Sequence, residues 1–344
     1  MPMHDGRKVD ARLYVRTPGD QGRGHVEYAQ QIQADPGVTF GLPEVDEKVI
    51  PLRAGNCVAY CGRPGHGKSS QMGRLAKRVA KDIVDRGAQE KEIVIYVSWE
   101  QVAEELEAFF MSGPGYTVSD YAWGRIDLER VKMQAASRVA LPIWMVGHSL
   151  FTADVLPPMY LDVVEDAVRS IEEDHGLKPR LMLFDYAQLT PSRYRGRGRT
   201  EMVDEAITGT KELLIRLGCP GVVGVQAGRQ VDQRDWKVPG MADAQHASSI
   251  EQTADKFFGF WRPWLTEDQG GEIAVDGHPA PYQNSPNLFI MGMSKQRMED
   301  GKHVWPMYFN PAELRVEEYE VVALNAPAAA PAIAPPEEEE EIPF

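Results

Sequence analysis

Residues 62–69 constrain the fold of this chain more than any other stretch. They read Gly-Arg-Pro-Gly-His-Gly-Lys-Ser, which matches the pattern G-x-x-x-x-G-K-[ST] without a mismatch. Residues 57–61 form a short apolar run before them, and residues 71–85 follow with apolar side chains at helical spacing. Strand, glycine-rich loop and helix are the order that this motif needs, so the sequence predicts a phosphate-binding loop.

The chemistry of this loop follows from its residue types. Glycines let backbone N–H groups approach a phosphate closely, and the helix N-terminus adds its positive dipole end. Lys68 is expected to reach the β- and γ-phosphates of a nucleotide, and the Ser69 hydroxyl to ligate Mg²⁺. The predicted phosphate-binding set is Gly62, Arg63, Pro64, Gly65, His66, Gly67, Lys68, Ser69 and Ser70.

The rest of the chain alternates in a way that predicts an α/β fold. Apolar strands separated by helical stretches indicate a mainly parallel central sheet flanked by helices. These predicted strands are residues 57–61, 93–98, 142–146, 180–185 and 221–225. Later apolar runs are separated by short polar turns, so we expect antiparallel C-terminal strands. They are residues 256–261, 287–294, 303–309 and 314–322.

Composition divides the chain into three parts. Residues 1–36 are polar, and the glycines at 19–24 suggest a flexible arm with a short helix at 25–32. That helix is expected either to fray at the surface or to dock a neighbouring subunit. Residues 37–322 would form the folded domain. Residues 323–344 are Ala/Pro-rich and then acidic, which predicts a disordered tail.

Bulk properties favour a cytoplasmic protein that does not enter a membrane. The 344 residues are 43% hydrophobic and 26% charged, and no apolar run approaches the roughly 20 residues of a membrane span. Three cysteines cannot pair fully, and two lie in a predicted buried strand, so we expect reduced thiols. The net charge of −14 argues against a general nucleic-acid binder, although charge is unevenly distributed along the chain.

Three predicted strands end in a polar side chain. Asp185 follows an apolar run and is expected to hold Mg²⁺, although a loop cap is the alternative. Glu100 could deprotonate an attacking water, or only favour a helix dipole. Gln226 could sense a γ-phosphate, or make a simple loop hydrogen bond.

A short loop concentrates positive charge. It carries Arg193, Arg195, Arg197 and Arg199 around Tyr194. Guanidinium groups suit phosphates and a tyrosine ring can stack on a base, so the loop is a candidate nucleic-acid contact. A solvated charged loop is the alternative.

From about residue 37 to residue 322 the chain resembles the ATPase domain of DnaB-type replicative helicases, a RecA-like fold. Six motifs in order carry this resemblance. They are the phosphate loop, Val97-Ser-Trp-Glu100, Asp185-Tyr-Ala-Gln-Leu189, Val225-Gln-Ala-Gly-Arg229, Ser249-Ile-Glu-Gln-Thr-Ala-Asp255 and Ser294-Lys-Gln-Arg297.

The resemblance implies a hexameric ring that hydrolyses ATP with Mg²⁺ and grips single-stranded DNA. Lys68 and Ser69 would bind the nucleotide, and Asp185 would help to hold the metal. Glu100 would be the catalytic base, and Gln226 would couple the γ-phosphate to DNA. Lys295 and Arg297 would reach the nucleotide of the neighbouring subunit, with Arg297 as an arginine finger.

The chain also departs from the family pattern. The family's separate N-terminal domain is expected to be missing, which suggests a phage or mobile-element protein acting in a bacterial cytoplasm. Gln245-His-Ala-Ser248 stands where the family has an Arg-Glu-Ser-Gly run in a DNA-facing loop. The arginine loop and Lys237 are expected to compensate.

Residues 337–344 resemble the acidic tip of bacterial single-stranded-DNA-binding proteins, which also ends in Ile-Pro-Phe. They are expected to bind replication proteins, although the tail could instead solubilise the chain or compete with DNA for the arginine loop.

Three functions follow as hypotheses. The first is a helicase that unwinds DNA, the second is a RecA-like ATPase that binds DNA without unwinding, and the third is a nucleotide-gated replication adaptor.

Overall fold

A computed structural model describes most of the chain. The described residues are 3–4, 7–8, 12, 15–113, 117–151, 157–193, 196, 198–245, 249–299, 301–310, 312–313 and 315–319. The strands of the main sheet are β1 (Cys57–Gly62), β2 (Glu92–Ser98), β3 (Ile143–Val146), β4 (Lys178–Asp185), β5 (Gly221–Gln226), β6 (Lys256–Trp261), β7 (Leu288–Gln296), β8 (His303–Asn310) and β9 (Arg315–Glu318). The helices are α1 (Pro18–Ala34), α2 (Pro43–Lys48), α3 (Lys68–Asp85), α4 (Ala103–Met111), α5 (Val118–Ala122), α6 (Leu128–Val139), α7 (Leu161–His175), α8 (Arg199–Leu217) and α9 (Ile250–Thr253).

The main sheet has nine strands in the order β9-β8-β7-β6-β1-β5-β4-β2-β3. Six neighbouring strands run parallel to one another, namely β6, β1, β5, β4, β2 and β3. Strands β7, β8 and β9 extend the sheet beyond β6 in antiparallel fashion. This confirms the predicted fold class. Two short antiparallel pairs lie outside this sheet, Met3–His4 with Arg7–Lys8 and Glu272–Ile273 with Tyr282–Gln283.

Two apolar layers cover the sheet, one on each face. On the first face α3 and α4 bury Leu75 and Leu106 against the strands. On the second face α7 and α8 bury Val164 and Ile207. All three cysteines are buried and unpaired, as expected for reduced thiols. Strands buried on both faces explain why the sequence shows continuous apolar runs rather than alternation.

Helix α1 differs from its sequence-based description. It begins at Pro18, so the glycines at 19–24 that suggested flexibility lie inside a helix. Thr17 and Asp20 explain this start, since each side chain accepts a backbone N–H of the other at 3.2 Å. Helix α1 buries none of its residues, and its C-terminal neighbour Asp35 forms an ion pair with Arg180 of β4.

The remaining boundaries agree with expectation to different extents. The helix predicted at about 124–139 is α6, which begins at Leu128, and the short helix α5 before it was not predicted. The helix predicted from residue 154 begins at Leu161. The tail from residue 320 onward lies outside the described residues, so the three-part division of the chain stays a prediction. None of the described helices has both the length and the apolar character of a membrane span.

Phe258 lies at the centre of the first apolar layer. Its ring centroid is 5.2 Å from that of Phe40, 5.7 Å from that of Tyr60 and 6.4 Å from that of Trp305. Replacing it by Ala is expected to lower the free energy of unfolding by about 3–5 kcal/mol, because removal of the Phe258 ring leaves a cavity among the rings packed around it. Urea unfolding measures this. Val26→Ala on exposed α1 is the control, and equal effects of the two substitutions would refute the prediction.

Candidate active site

The phosphate-binding loop joins the end of β1 to the start of α3. Gly65 and Gly67 have φ angles of 78° and 86°, in the left-handed region that favours glycine. A Cβ added to Gly67 would lie 3.0 Å from the Phe289 ring, so a side chain there would be both strained and crowded. This backbone brings the loop to the wall of a cavity of about 380 Å³.

Residues from several strand ends complete the cavity. The predicted loop residues that line it are Pro64, Gly65, Gly67, Lys68, Ser69 and Ser70. Glu100 and Gln226, predicted from the ends of other strands, line the same cavity. The sequence interpretation missed Gln101, Phe109, Tyr186, Arg262 and Phe309. Arg262 directly follows the apolar run of β6, so the strand-end rule that found Asp185 could also have found it.

Lys68 is a half-buried cation at the end of the loop, where α3 begins. Its Nζ donates hydrogen bonds to the carbonyl of Gly62 at 2.9 Å and, more weakly, to that of Arg63 at 3.4 Å. Burial lowers the pKa of Lys68, while the charge of Asp185 opposes this shift. The ammonium therefore lies among loop carbonyls and is available to anionic oxygens entering the cavity.

Asp185 ends β4 with one carboxylate oxygen satisfied and one free. Its Oδ2 accepts a hydrogen bond from the Tyr96 hydroxyl at 2.8 Å. Its Oδ1 is buried and has no hydrogen-bond partner among the described residues. Burial raises the pKa of Tyr96 well above its ordinary value, so Tyr96 stays a neutral donor. This unpartnered oxygen and the hydroxyl of Ser69, which lines the cavity, are hard oxygen donors. Donors of this kind fit Mg²⁺.

Glu100 lies just beyond β2, which pairs with β4 so that Ser98 is opposite Asp185. The side chain is largely exposed, but the cavity wall desolvates it partly. This burial raises the pKa of Glu100, and the charge of Asp185 raises it further. A carboxylate of raised basicity at the rim of the cavity suits a general base.

Side-chain contacts fix the loop from two sides. On the β6 side, the backbone N–H of Arg262 donates to His66 Nδ1 at 3.1 Å, and its guanidinium donates to Gly65 at 3.2 Å. On the β5 side, Arg63 forms an ion pair with Asp232 at 3.0 Å and donates to the Ala227 carbonyl. The loop is therefore held in shape by the strands on either side of β1.

Lys295 and Arg297 lie at the opposite edge of the sheet. Lys295 on β7 pairs with Phe257 near the start of β6, whereas the phosphate loop leaves β1 level with Phe260. Arg297 is held there by an ion pair with Asp255 at 3.0 Å. Phe257 is five residues from Arg262, which lines the cavity, so Lys295 and Arg297 lie roughly 16 Å or more along the sheet from the cavity of their own chain at about 3.3 Å per residue.

The predicted DNA-contacting residues have different surroundings. Arg193 is exposed, pairs with Asp162 at 2.7 Å and lies over the Tyr160 ring. Arg199 is exposed at the start of α8. Tyr194, Arg195 and Arg197 lie outside the described residues. Lys237 is only 11% exposed and is paired with Glu267. Its charge is satisfied within the fold, which argues against the expected DNA contact.

The fold and the site together define a class of protein. A phosphate loop at a central parallel strand, with carboxylates at the ends of neighbouring strands, is the arrangement of a RecA-like P-loop ATPase. The family model of the DnaB-like helicase C-terminal domain matches residues 37–303. The chain therefore belongs to this family, which confirms the resemblance and implies the use of a nucleotide.

Two relatives show how far this similarity extends. The chain is 26% identical to the replicative DNA helicase DnaB of Haemophilus influenzae over 249 residues, which cover 70% of this chain and 49% of that protein. It is 25% identical to the replicative DNA helicase DnaB of Rickettsia bellii over 223 residues, or 64% of this chain and 43% of that protein. The matched part is thus less than half the length of these relatives.

Solved structures give the same fold. One of them, an isolated ATPase domain, has a TM-score of 0.70 at 17% identity, covering 88% of this chain and 99% of that one. A DnaB-like replicative helicase, described with its interactions with primase, has a TM-score of 0.67 at 18% identity. It covers 85% of this chain and 66% of that one.

His66 should make the stability of the protein depend on pH. Burial, with the charges of Lys68 and Arg262, lowers the pKa of His66 to about 4. An unfolded histidine takes up its proton near pH 6.5, so the unfolded state binds more protons between these values. Stability present at neutral pH is therefore lost as the pH falls. Between pH 7 and pH 5, protonation of this residue in the unfolded state should lower the free energy of unfolding by about 2 kcal/mol.

Urea unfolding at the two pH values measures this loss. His66→Asn is the matched control, because its side-chain oxygen can accept the N–H of Arg262 and does not titrate. The variant should lose less stability than the wild type over the same interval. Identical losses in the two proteins would show that His66 takes up its proton normally in the fold.

Proposed function

We propose that this chain is the ATPase motor of a DnaB-type replicative helicase, a hexameric ring that moves on single-stranded DNA. The observation that carries this proposal is the separation of Arg297 and Lys295 from the cavity of their own chain. A head-to-tail ring brings one edge of each subunit against a different edge of the next. Such an interface would supply Arg297 and Lys295 to a neighbour's nucleotide.

The cavity residues take complementary parts in ATP hydrolysis. Lys68 exchanges its loop carbonyls for phosphate oxygens, and Glu100 accepts the proton of the attacking water. Ser69 and Asp185 would hold Mg²⁺, which when bound neutralises phosphate charge. Arg297 of the neighbouring subunit stabilises the charge of the transition state, so hydrolysis depends on ring assembly. Gln226, which lines the cavity, would respond to the terminal phosphate.

Contact with DNA is assigned to the loop that carries Arg193, Arg195, Arg197 and Arg199, here called the arginine segment. Arg199 is exposed, and Arg193 is exposed although it pairs with Asp162, so that a phosphate would have to displace or share that exposed ion pair. Phosphate contacts of this kind are independent of sequence. We further propose that residues 337–344 bind replication proteins. A phage or mobile-element origin and action in a bacterial cytoplasm stay predictions, as does the ring size.

Two observations favour a second candidate. Lys237 is neutralised within the fold, and Gln245 begins a segment without the family's basic residue. Both features weaken the expected DNA grip. They favour a RecA-like ATPase that binds DNA without unwinding it, and beyond that a nucleotide-gated replication adaptor.

Hydrolysis of ATP measured with and without single-stranded DNA, across protein concentration, tests the proposal. We expect DNA to raise the rate, and the rate per subunit to rise cooperatively with concentration, because the site needs its neighbour. Unwinding of a forked duplex then separates the helicase from the second candidate. A rate of ATP hydrolysis that DNA does not change would contradict the proposed helicase motor and favour the nucleotide-gated adaptor.

Mixing two inactive variants tests whether Arg297 acts across the interface. Lys68→Ala and Arg297→Ala should each abolish hydrolysis alone. Mixed in equal amounts before assembly, they should recover activity at about a quarter of the interfaces, where intact Lys68 meets intact Arg297.

The matched control mixes Lys68→Ala with Glu100→Gln. Both residues belong to the cavity of one chain, so no interface regains a complete site and the mixture should stay inactive. Recovery in this control, or none in the first mixture, would rule out a finger supplied by the neighbour.

A further inference from the structure

Gln188 makes contacts that the nucleotide site does not require. It lies on a single 3-10 turn, Ala187–Leu189, directly after β4. Its side-chain oxygen accepts the backbone N–H of Gln226 at 3.1 Å. Its side-chain nitrogen donates to the carbonyl of Gln245 at 3.0 Å and, at the limit of a hydrogen bond, to that of Gln226 at 3.5 Å. One amide therefore bridges a strand end and a segment far along the chain.

The segment ending at Gln245 is itself tied to the phosphate loop. The backbone N–H of Gln245 donates to Gln226 at 2.8 Å, and Ala227 and Ala244 form an antiparallel bridge. Ala227 in turn donates its N–H to Gly62 at 3.1 Å. An unbroken set of backbone hydrogen bonds thus leads from the loop through the end of β5 to Gln245.

Ser249, four residues after Gln245, is anchored to a different element. The backbone N–H of Ser249 donates to Asp204 of α8 at 2.8 Å. Helix α8 begins at Arg199, at the end of the arginine segment. Residues 246–248, which lie outside the described residues, therefore join a point fixed by the nucleotide site to a point fixed by the helix that follows those arginines.

We propose that Gln188 is a positioning residue that couples the nucleotide cavity to the segment ending at Gln245. It acts through the main chain of Gln226 and does not line the cavity. The chemistry favours an amide, since one neutral side chain must accept an N–H and donate to a carbonyl at once. Without it, the Gln226 N–H and the Gln245 carbonyl each lose a partner.

This inference rests on the proposed ATPase function, but part of its test does not depend on DNA. Gln188→Leu removes both kinds of hydrogen bond at similar size, and Gln188→Glu keeps the acceptor for Gln226 but loses the donor to Gln245. Hydrogen exchange of peptides covering residues 243–253 is measured with and without ATPγS and Mg²⁺. Peptides covering residues 62–70 report nucleotide binding in the same experiment.

In the wild type we expect ATPγS to change exchange in both regions. In both variants residues 62–70 should still respond, whereas residues 243–253 should lose their response. An unchanged response of residues 243–253 in both variants would overturn the proposal. Thermal unfolding shows whether the Gln188→Leu variant is folded. If it is not, the exchange response of the Gln188→Glu variant, which loses only the donor to Gln245, decides whether the proposal holds.

The second arm measures ATP hydrolysis with and without a single-stranded oligothymidylate. The rate without DNA should stay within about twofold of the wild type, since no cavity group is removed, while stimulation by DNA should fall by roughly fivefold or more. A variant that loses its basal rate while folded would place Gln188 in the chemistry and refute a positioning role. If the wild type itself ignores DNA, the proposed motor fails, and the exchange measurement still decides the role of Gln188.

Discussion

The parallel pairing of β1 with β5 and β6 is the constraint from which the site follows. It sets Gly62 opposite Gln226 on one side and Phe260 on the other. Because parallel strands end at the same edge, the loop after β1 meets the residues that follow both neighbours. Arg63 and His66 then bind to those neighbours, so the shape of the loop depends on sheet register as much as on its glycines.

The opposite edge of the sheet is organised around one buried carboxylate. Asp255 accepts the backbone N–H of Cys57 at 2.8 Å and pairs with Lys211 of α8 and with Arg297. The start of β1, a helix of the second layer and the proposed finger thus share one charged group. A buried carboxylate with several donors is costly to disturb. Arg297 is therefore presented from a fixed frame, as a residue acting on a neighbouring subunit needs to be.

The sequence predicts most of this architecture because apolar runs and strand ends are local signals. Asp185, Glu100 and Gln226 could be found since each directly follows a run that the sheet buries. Arg262 obeys the same rule, but its role becomes visible only when β6 is seen beside β1. The buried ion pair of Lys237 joins residues 30 positions apart, so a charge that looks exposed in the sequence is neutral in the fold.

The contacts of Gln188 show why coupling is harder to predict than catalysis. Its bonds to Gln226 and Gln245 span 38 and 57 positions and leave no periodic trace in the sequence. They join a polar side chain to the main chain, whereas β1, β5 and β6 are held by sheet pairing and by burial on both faces. The role of Gln188 therefore becomes visible only once the ends of β4 and β5 and residue Gln245 are placed side by side in the fold.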